Sequence, residues 1–319
     1  MSNPTRRSGS HPGMVMANLD RPRSETPTRI AVIADPHLSI REEGTSKLFE
    51  HTEKHLQAAI EDIHDRNVDG VLSVGDLTKD GEPWNYNAVD EMLAELDVPF
   101  YSVPGNHDVP KKYDDHENLP MGEFVKRYTP GQMPFTVRIG GVDVVGLNSS
   151  GDDEWLYGTH HGEIRQETLD WLDETLPRLS NPLILVHHNL PTMSAQLEAH
   201  RDAIEPEMEI PPVLLNPQPF VDVLAKHGVP LILTGHLHLP SATEEQGVRE
   251  IMAPTTCSFP QAYLLLEIDD SGTTVRFVPI AEHEDLRYAY GERSSDSATA
   301  RGLTAMASIR LADFPLIDE

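Results

Sequence analysis

Polar side chains of the kinds that bind metal ions recur at the ends of predicted buried strands. In chain order they are Asp35, His37, Asp76, Asn106, His187, His236 and His238. Open α/β sheets place their ligand sites beyond the carboxyl ends of the strands. A set of carboxylate, imidazole and amide groups without a thiolate suits Mn, Fe, Zn or Mg ions and argues against a structural zinc cage. The sequence therefore predicts a metal centre where these strands end.

The spacing of these residues predicts two ions that share one ligand. Asp35 and His37 are two residues apart on an extended segment, so both side chains point to the same side and can hold one ion. His236 and His238 repeat this spacing, and each can reach a different ion. A bridging ligand needs two oxygens, which a carboxylate has. Asp76 lies between the other two groups in the chain and is the predicted bridge.

The elements that position these residues alternate between buried strands and amphipathic helices. Apolar runs predict strands over residues 30–34, 70–74, 98–103, 183–186 and 229–234. Two hairpins are predicted at residues 135–147 and 262–280, which argues against a purely parallel sheet. The predicted fold class is therefore α/β, with two β-sheets flanked by helices.

Composition divides the chain into three segments. Residues 1–27 are rich in Pro, Ser, Arg and Thr and lack an apolar period, which predicts a disordered leader. Residues 28–282 carry the predicted strands, helices and polar segments and form one predicted domain. Residues 283–319 are rich in Ser, Ala and Arg. The sequence leaves open whether this last segment is a loose tail or a packing arm.

The charge balance is strongly acidic. The chain has 52 Asp and Glu residues against 25 Lys and Arg, a net charge of −27, and only seven of its basic residues are Lys. Such a balance is typical of proteins adapted to molar salt, where the Debye length is only ~3 Å. We therefore expect a halophilic protein. An acidic surface is also a poor docking face for nucleic acid.

The sequence predicts a soluble, cytoplasmic protein without a membrane segment. No apolar run approaches the ~20 residues of a spanning helix. The N-terminal residues lack the apolar core of a signal peptide. Cys257 is the single cysteine and lies in an apolar context, which predicts a buried structural thiol and suits a reducing compartment.

The order of the polar segments resembles that of the calcineurin-like metallophosphoesterases. Their motif series is D-x-H, G-D, G-N-H-[DE], H and G-H-x-H, and the chain matches it at residues 35–37, 75–76, 105–108, 187 and 235–238. The resemblance spans about residues 28–282 and implies that this segment is a metallophosphoesterase domain. Residues 75–83 resemble the class III cyclic-nucleotide and glycerophosphodiester phosphodiesterases, and they lack the Arg-Gly of Ser/Thr protein phosphatases. The resemblance implies a four-layer sandwich of two mixed sheets between helices.

The resemblance also implies how two divalent or trivalent ions would share the ligands. One ion would bind Asp35, His37, Asp76 and His238, and the other would bind Asp76, Asn106, His187 and His236. The chain departs from the family at Asn189, where relatives usually have Pro after the paired His, so His187 and His188 are both candidates. We prefer His187, the position that family members with a single His retain. Family members often dimerise, so a homodimer is an open expectation.

His107 is adjacent to a predicted ligand, but the resemblance assigns no ion to it. It would lie beside the bound phosphate, where an imidazolium stabilises negative charge or protonates the leaving alkoxide, effects of ~10²–10⁴-fold. Asp108 is the predicted orienting residue for His107. The predicted nucleophile is a metal-bridging hydroxide, with no covalent enzyme intermediate. His160 and His161 lie on a loop that could line the mouth of this site.

Three functions are compatible with the motifs. The preferred one is a phosphodiesterase or monoesterase for small molecules, of the cyclic-nucleotide or glycerophosphodiester type. A nuclease or DNA-repair phosphoesterase of the same fold is the second, although the chain shows no basic groove that would favour it. The third is a non-catalytic binding scaffold, which predicts missing ligands, whereas all of them are present here.

Overall fold

The computed structural model describes residues 12–39, 46–112, 116–157 and 160–319. Within these ranges the strands form one sheet of seven and one sheet of six. Helices pack on the outer faces of both sheets. The predicted α/β class with two mixed sheets flanked by helices is confirmed.

The strands account for both sheets and are numbered in chain order. They are β1 (Met14–Leu19), β2 (Thr28–Ile33), β3 (Gly70–Ser73), β4 (Phe100–Ser102), β5 (Phe135–Ile139), β6 (Val142–Gly146), β7 (Leu183–Leu185), β8 (Leu231–Thr234), β9 (Ser241–Glu245), β10 (Val248–Met252), β11 (Ala262–Ile268), β12 (Thr273–Pro279) and β13 (Ile317–Asp318).

The α-helices connect the parallel strands and also form the C-terminal part of the chain. They are α1 (Thr52–His64), α2 (Pro83–Leu93), α3 (Met121–Tyr128), α4 (Gln166–Thr175), α5 (Pro191–Ala203), α6 (Pro217–Lys226), α7 (His283–Asp296) and α8 (Ala298–Ala312). Short 3₁₀ turns occupy Phe49–His51 and Leu176–Arg178. Across the described ranges, no helix has the length and apolar character that crossing a membrane requires.

The two sheets are mixed, and each has a parallel centre. The first has the order β13-β1-β12-β11-β2-β3-β4, with β2, β3 and β4 parallel and β11 antiparallel to both β2 and β12. The second has the order β5-β6-β7-β8-β10-β9, with β6, β7, β8 and β10 parallel. Since parallel strands need crossover connections, helices cover the outer faces.

The main core fills the space between the two sheets. Strand residues such as Val32, Leu72, Val144, Leu185 and Leu264 are fully buried there. A second apolar layer joins the seven-stranded sheet to α1, α2 and α3, and a third joins the six-stranded sheet to α4 and α6. These layers form the helix–sheet–sheet–helix sandwich that the motif series implied.

The register of the parallel strands brings several loops together. Ile33 at the end of β2 is level with Ser73 of β3, which is level with Ser102 of β4. In the other sheet, Leu185 of β7 is level with Leu233 of β8. The loops that follow these strands therefore leave the sheets at the same edge, where the predicted metal ligands lie.

The predicted disordered leader is wrong for residues 14–19. These residues form β1, which pairs with β12 and buries Met16 and Ala17 completely. A register shift between Val15 and Ala17 interrupts the two-residue alternation, which explains why no strand pattern was visible in the sequence. Residues 1–11 of the predicted leader lie outside the described residues.

The C-terminal segment is a packing arm, the second of the two possibilities left open. It contains α7, α8 and β13, and β13 pairs with β1 at the edge of the seven-stranded sheet. Leu303 and Met306 of α8 pack against Met193 and Leu197 of α5 in a separate apolar cluster. The folded unit therefore extends on both sides of the predicted 28–282 domain.

Candidate metal centre

The seven predicted ligands lie on loops that follow β2, β3, β4, β7 and β8. Five of them have a left-handed backbone, with φ of 48° at Asp35, 43° at His37, 51° at Asp76, 72° at His236 and 57° at His238. Residues other than glycine rarely adopt this conformation. Such strain costs on the order of 1–3 kcal/mol per residue and persists where the surrounding structure enforces it, most often at functional sites.

Two glycines allow backbone amides to reach the buried carboxylates. A Cβ atom at Gly105 would lie 2.1 Å from Oδ1 of Asp76, and one at Gly235 would lie 2.6 Å from Oδ2 of Asp35. Without these Cβ atoms, the amide of His107 donates to Asp76 at 2.7 Å, and that of His236 donates to Asp35 at 3.0 Å. The motif glycines therefore let these amides fix both carboxylates.

The first group of candidate ligands consists of Asp35, His37, Asp76 and His238. Their ligand atoms all lie within 4.8 Å of one another, and all four residues are buried. Nε2 of His37 lies 2.9 Å from Nε2 of His238 and 3.4 Å from Oδ2 of Asp76. Nε2 of His238 lies 3.4 Å from Oδ1 of Asp35. Two imidazoles and two carboxylates thus converge on one point.

The second group lies on the other side of Asp76. Nε2 of His187 is 3.5 Å from Oδ2 of Asp76 and 3.0 Å from the amide oxygen of Asn106. The rings of His187 and His236 have centroids 5.0 Å apart. Nε2 of His236 donates to the Pro212 carbonyl at 2.7 Å, which leaves its Nδ1 for a ligand. Oδ2 of Asp76 therefore faces both groups.

The adjacent residues His187 and His188 have different environments. Nδ1 of His187 donates to the Val74 carbonyl at 2.8 Å, so Nε2 keeps a lone pair directed into the site. In His188, Nδ1 lies 2.7 Å from the Ser149 hydroxyl and Nε2 donates to the His160 carbonyl at 3.0 Å. Both nitrogens of His188 are thus bonded to protein groups, which favours His187 as the ligand.

The electrostatics of the site suit metal ions. Burial lowers the pKa of His37, His187 and His238 well below the ordinary value, so these imidazoles are neutral, the state that binds metal. Burial, followed by repulsion from a neighbouring carboxylate, raises the pKa of Asp35 and Asp76. Converging lone pairs and buried carboxylates are costly without a compensating cation. The donor set therefore fits metal ions.

His107 is partly buried, its ring centroid lies 4.6 Å from that of His37 in the first group, and its ring is fixed by hydrogen bonds. Nδ1 donates to the Lys79 carbonyl at 2.7 Å, and Nε2 lies 3.1 Å from Nζ of Lys47. The predicted orienting role of Asp108 is therefore wrong, because the Lys79 carbonyl holds the ring. Asp108 instead accepts bonds from the amides of Leu77, Thr78 and Gly105, and so braces the loops that carry Asp76 and Asn106.

His160 lies beside the metal centre, at the predicted mouth of the site. His161, the next residue in the chain, has a different neighbour. Nδ1 of His160 is 2.7 Å from the amide nitrogen of Asn106, and its ring stacks on that of His107 with centroids 5.0 Å apart. His161 instead packs against Tyr157, with ring centroids 4.7 Å apart and the rings tilted by 56°. His160 thus orients the amide of Asn106 so that its oxygen faces His187.

A cavity of about 350 Å³ extends from the metal centre to the C-terminal arm. Asp76, His107 and His238 line one side, and Asp296, Thr299 and Leu303 are among the residues of the arm that line the other. The sequence left open whether the arm packs on the domain, and in α7 only Ala289 and Arg293 are buried. The cavity is large enough for a small organic phosphate ester.

Two basic residues of the site were missed by sequence reasoning. Lys47 lines the cavity, and Arg293 donates to the backbone carbonyls of Leu237, His238 and Phe259. We selected polar residues that follow predicted buried strands. Lys47 precedes a helix and Arg293 lies in the C-terminal segment, so neither was selected. The scarcity of Lys in the chain was the one available signal for Lys47.

Comparison with known proteins gives consistent matches. A family model described as calcineurin-like phosphoesterase matches residues 28–240. A 3′,5′-cyclic adenosine monophosphate phosphodiesterase of Haemophilus influenzae is 30% identical, over 72% of this chain and 76% of the relative. A 3′,5′-cyclic-nucleotide phosphodiesterase of a Nostoc species is 29% identical, over 72% of this chain and 79% of the relative.

The fold is also similar to that of solved structures. A dimetal phosphatase from Danio rerio superimposes with a TM-score of 0.59 over 81% of this chain and 98% of that protein. The two sequences are only 17% identical, so this likeness concerns the fold alone. It agrees with the two-sheet sandwich described above.

Proposed function

The chain belongs to the calcineurin-like phosphoesterase family, and we propose that this metal-dependent phosphoester hydrolase acts on 3′,5′-cyclic nucleotides. The observation that carries the proposal is the position of Asp76. Its Oδ2 lies 3.4 Å from Nε2 of His37 and 3.5 Å from Nε2 of His187. One carboxylate oxygen thus faces both groups of candidate ligands, as a bridge between two ions requires.

Each of the two ions has its own ligand set in this proposal. The first set is Asp35, His37, Asp76 and His238, and the second is Asp76, Asn106, His187 and His236. These oxygen and nitrogen donors suit Mn, Fe, Zn or Mg. When bound, such a pair of ions supplies a water of lowered pKa as the nucleophile and positive charge for the phosphate oxygens.

The protein's own groups then orient the reacting ester. The His107 ring is held by the Lys79 carbonyl, and Nε2 points towards the cavity where the ester binds. Asp108 fixes the two loops that carry Asp76 and Asn106. Its carboxylate accepts hydrogen bonds from the backbone amides of Leu77 and Gly105, which lie in these loops. The left-handed backbone at five ligands directs their side chains towards the centre.

The cavity supports a substrate with an apolar part. Leu237, Leu303 and Pro212 line it together with polar groups of the metal centre. A nucleoside has a flat base that can pack on such side chains and hydroxyl groups that can bond to the polar ones. The two relatives described above are named as cyclic-nucleotide phosphodiesterases. Glycerophosphodiesters are the second candidate, since they share the phosphodiester group but lack a base.

The two other candidate functions are less well supported. A nuclease needs a surface that attracts phosphate backbones, and the net charge of −27 opposes this. A non-catalytic scaffold would not need a complete ligand set, yet all seven candidate ligands and His107 lie together at one edge of the sheets. Small-molecule hydrolysis accounts for both observations.

We also propose a cellular setting for the enzyme. The acidic, Lys-poor composition supports a halophilic cytoplasm. The single cysteine, Cys257, is fully buried, and burial raises the pKa of its thiol to about 11, which fits an unreactive structural role. A homodimer remains the proposed assembly, on the basis of the family resemblance.

A substrate panel tests the proposed function. The protein is reconstituted separately with Mn, Fe, Zn and Mg, and hydrolysis of cyclic AMP, glycerophosphodiesters, phosphomonoesters and single-stranded DNA is measured in low and in molar salt. We expect the highest kcat/KM for a cyclic nucleotide and none after chelation of the metals. Faster turnover of single-stranded DNA than of every small ester would contradict the proposal.

A further inference from the structure

The C-terminal arm forms the wall of the cavity that lies across from the metal centre. The end of α7 and the start of α8 contribute Asp296, Ala300 and Leu303 to this surface, here called the arm wall. The family model matches residues 28–240, so the arm wall lies outside the segment that carries the family motifs. The chemistry of the metal centre therefore does not account for the side chains on this wall.

The arm wall is anchored to the rest of the protein on two sides. Arg293 of α7 is buried and donates to the backbone carbonyls of Leu237 and His238, in the loop that carries two candidate ligands. On α8, Leu303 packs in an apolar cluster with Met193 of α5. The wall is thus held by the loop of the metal centre and by a neighbouring helix, as a site that discriminates between ligands requires.

The side chains of the arm wall are of two kinds. Ala300 and Leu303 are apolar and lie three positions apart on α8, so they form one apolar surface. Asp296 is the last residue of α7 and is exposed, so its carboxylate is accessible to a ligand in the cavity. The hydroxyls of Ser297 and Thr299 each accept a hydrogen bond from a backbone amide. The arm wall thus offers an apolar surface with a carboxylate acceptor beside it.

This combination of side chains matches the base of a cyclic nucleotide. The phosphate must lie at the metal centre, and the ribose is fused to the phosphate, so the base is the part that extends across the cavity. A base has an apolar face that can pack on Ala300 and Leu303, and an amino group at its edge that can donate to a carboxylate. A carboxylate also repels other anions, so the arm wall disfavours a second phosphate group at this position.

We propose that the arm wall determines specificity by binding the base, with Asp296 accepting a hydrogen bond from its exocyclic amino group. The proposal rests on the proposed cyclic-nucleotide function. The reaction at phosphorus belongs to the metal centre, and the arm wall contributes binding energy to those esters that carry a base with an amino group. Esters without such a base lose this energy.

Steady-state kinetics of the full chain reconstituted with Mn test the role of Asp296. The substrates are cyclic AMP, purine riboside 3′,5′-cyclic monophosphate, which lacks the amino group, and methyl p-nitrophenyl phosphate, which lacks a base. We expect the wild type to prefer cyclic AMP to the purine riboside ester about 10-fold in kcat/KM, and Asp296→Ala to abolish this preference. Glu292→Ala is the matched control and should keep the preference, because Glu292 is an exposed carboxylate one turn earlier on α7 that does not line the cavity.

A second variant tests the apolar part of the arm wall. Ala300→Leu places a larger side chain where the base would pack, so the ratio of kcat/KM for cyclic AMP to that for methyl p-nitrophenyl phosphate should fall by about 10-fold or more. Ala312→Leu, at the exposed end of α8, is the control and should keep the wild-type ratio. The Tm of every variant shows whether it is folded, and the exposed position of Asp296 makes Asp296→Ala the safer of the two test variants.

The same measurements separate this proposal from the proposed function. If cyclic AMP is hydrolysed and Asp296→Ala keeps the wild-type preference, the role of the arm wall is wrong and the proposed function stands. An equal fall in kcat/KM for all three substrates would also overturn the role, because it would show that the arm only supports the metal centre. If the wild type hydrolyses the aryl ester but neither cyclic nucleotide, the proposed function fails and the role of the arm wall fails with it.

Discussion

The buried carboxylate of Glu250 accepts a hydrogen bond from the side-chain amide of Asn189 at 2.9 Å. It also accepts from the hydroxyls of Thr234 and Thr243 and from the amide of Leu190. Asn189 is the residue that departs from the family pattern, and it follows the paired histidines. Glu250 on β10 thus ties the loop that carries His187, His188 and Asn189, here called the histidine loop, to the six-stranded sheet.

Replacing Glu250 should destabilise the fold and loosen the histidine loop. Glu250→Ala removes the acceptor of four buried hydrogen bonds, so we expect the free energy of unfolding to fall by about 3 kcal/mol. Urea unfolding measures this change. Glu244→Ala is the control, because the side chain of Glu244 is 54% exposed. Equal stability of both variants would show that the Glu250 network contributes little.

The same carboxyl group should make stability depend on pH. Burial raises the pKa of Glu250 above its ordinary value of 4.5, so the folded state keeps the proton to a higher pH than the unfolded state does. This contribution is complete below the unfolded pKa and is lost as pH rises through the folded pKa. The unfolding free energy of wild type minus that of Glu250→Gln should therefore fall from about pH 4 to pH 8. A constant difference in urea unfolding would contradict this.

The adjacent histidines provide a matched test of the metal assignment. His187→Gln removes an Nε2 that faces Asp76 and Asn106, whereas His188→Gln replaces a ring that is bonded to Ser149 and a carbonyl. We expect His187→Gln to lose one of two bound ions, measured by elemental analysis after dialysis. His188→Gln should keep both ions and lose some stability. The opposite result would make His188 the ligand.

The sequence was sufficient to predict the strand-end residues of the centre but not the groups that surround them. Asp35, Asp76 and His187 follow apolar runs that predict strands. The carboxyl ends of parallel strands meet at one edge of a sheet, so these residues could be placed together without knowledge of the rest of the fold. Lys47 and Arg293 reach the site from elements distant in the chain, so their positions depend on tertiary packing. The strand β1 was missed because its bulge breaks the alternating pattern.

His107→Ala should separate catalysis from metal binding. The ring is close to the centre but donates to the Lys79 carbonyl and faces Lys47, so its loss should leave the metal content unchanged. We expect kcat to fall by ~10²–10⁴-fold. Elemental analysis and steady-state kinetics on the same sample check both parts. Loss of metal together with activity would identify His107 as a ligand or a structural residue.

Arg293 should couple the C-terminal arm to the metal centre. Its guanidinium is buried and donates to the carbonyls of Leu237 and His238, next to the candidate ligands. Arg293→Met leaves these acceptors unpaired, so we expect a loss of about 2–3 kcal/mol in stability and 10–100-fold weaker metal binding. Arg287→Met, on the exposed face of α7, is the control for both measurements. If the two variants bind metal equally well, the arm does not support the centre.

The acidic surface should make stability depend on salt. At low ionic strength the net charge of −27 is weakly screened, and self-repulsion opposes the compact state, whereas molar KCl reduces the Debye length to ~3 Å. We expect Tm to rise continuously from low to molar KCl. Changing Glu91, Glu198 and Glu284 to Lys alters three exposed positions and reduces the net negative charge by six units. This variant should have a higher Tm at low salt and a shallower salt dependence. If its Tm follows that of the wild type at every KCl concentration, surface repulsion does not govern the stability of the fold.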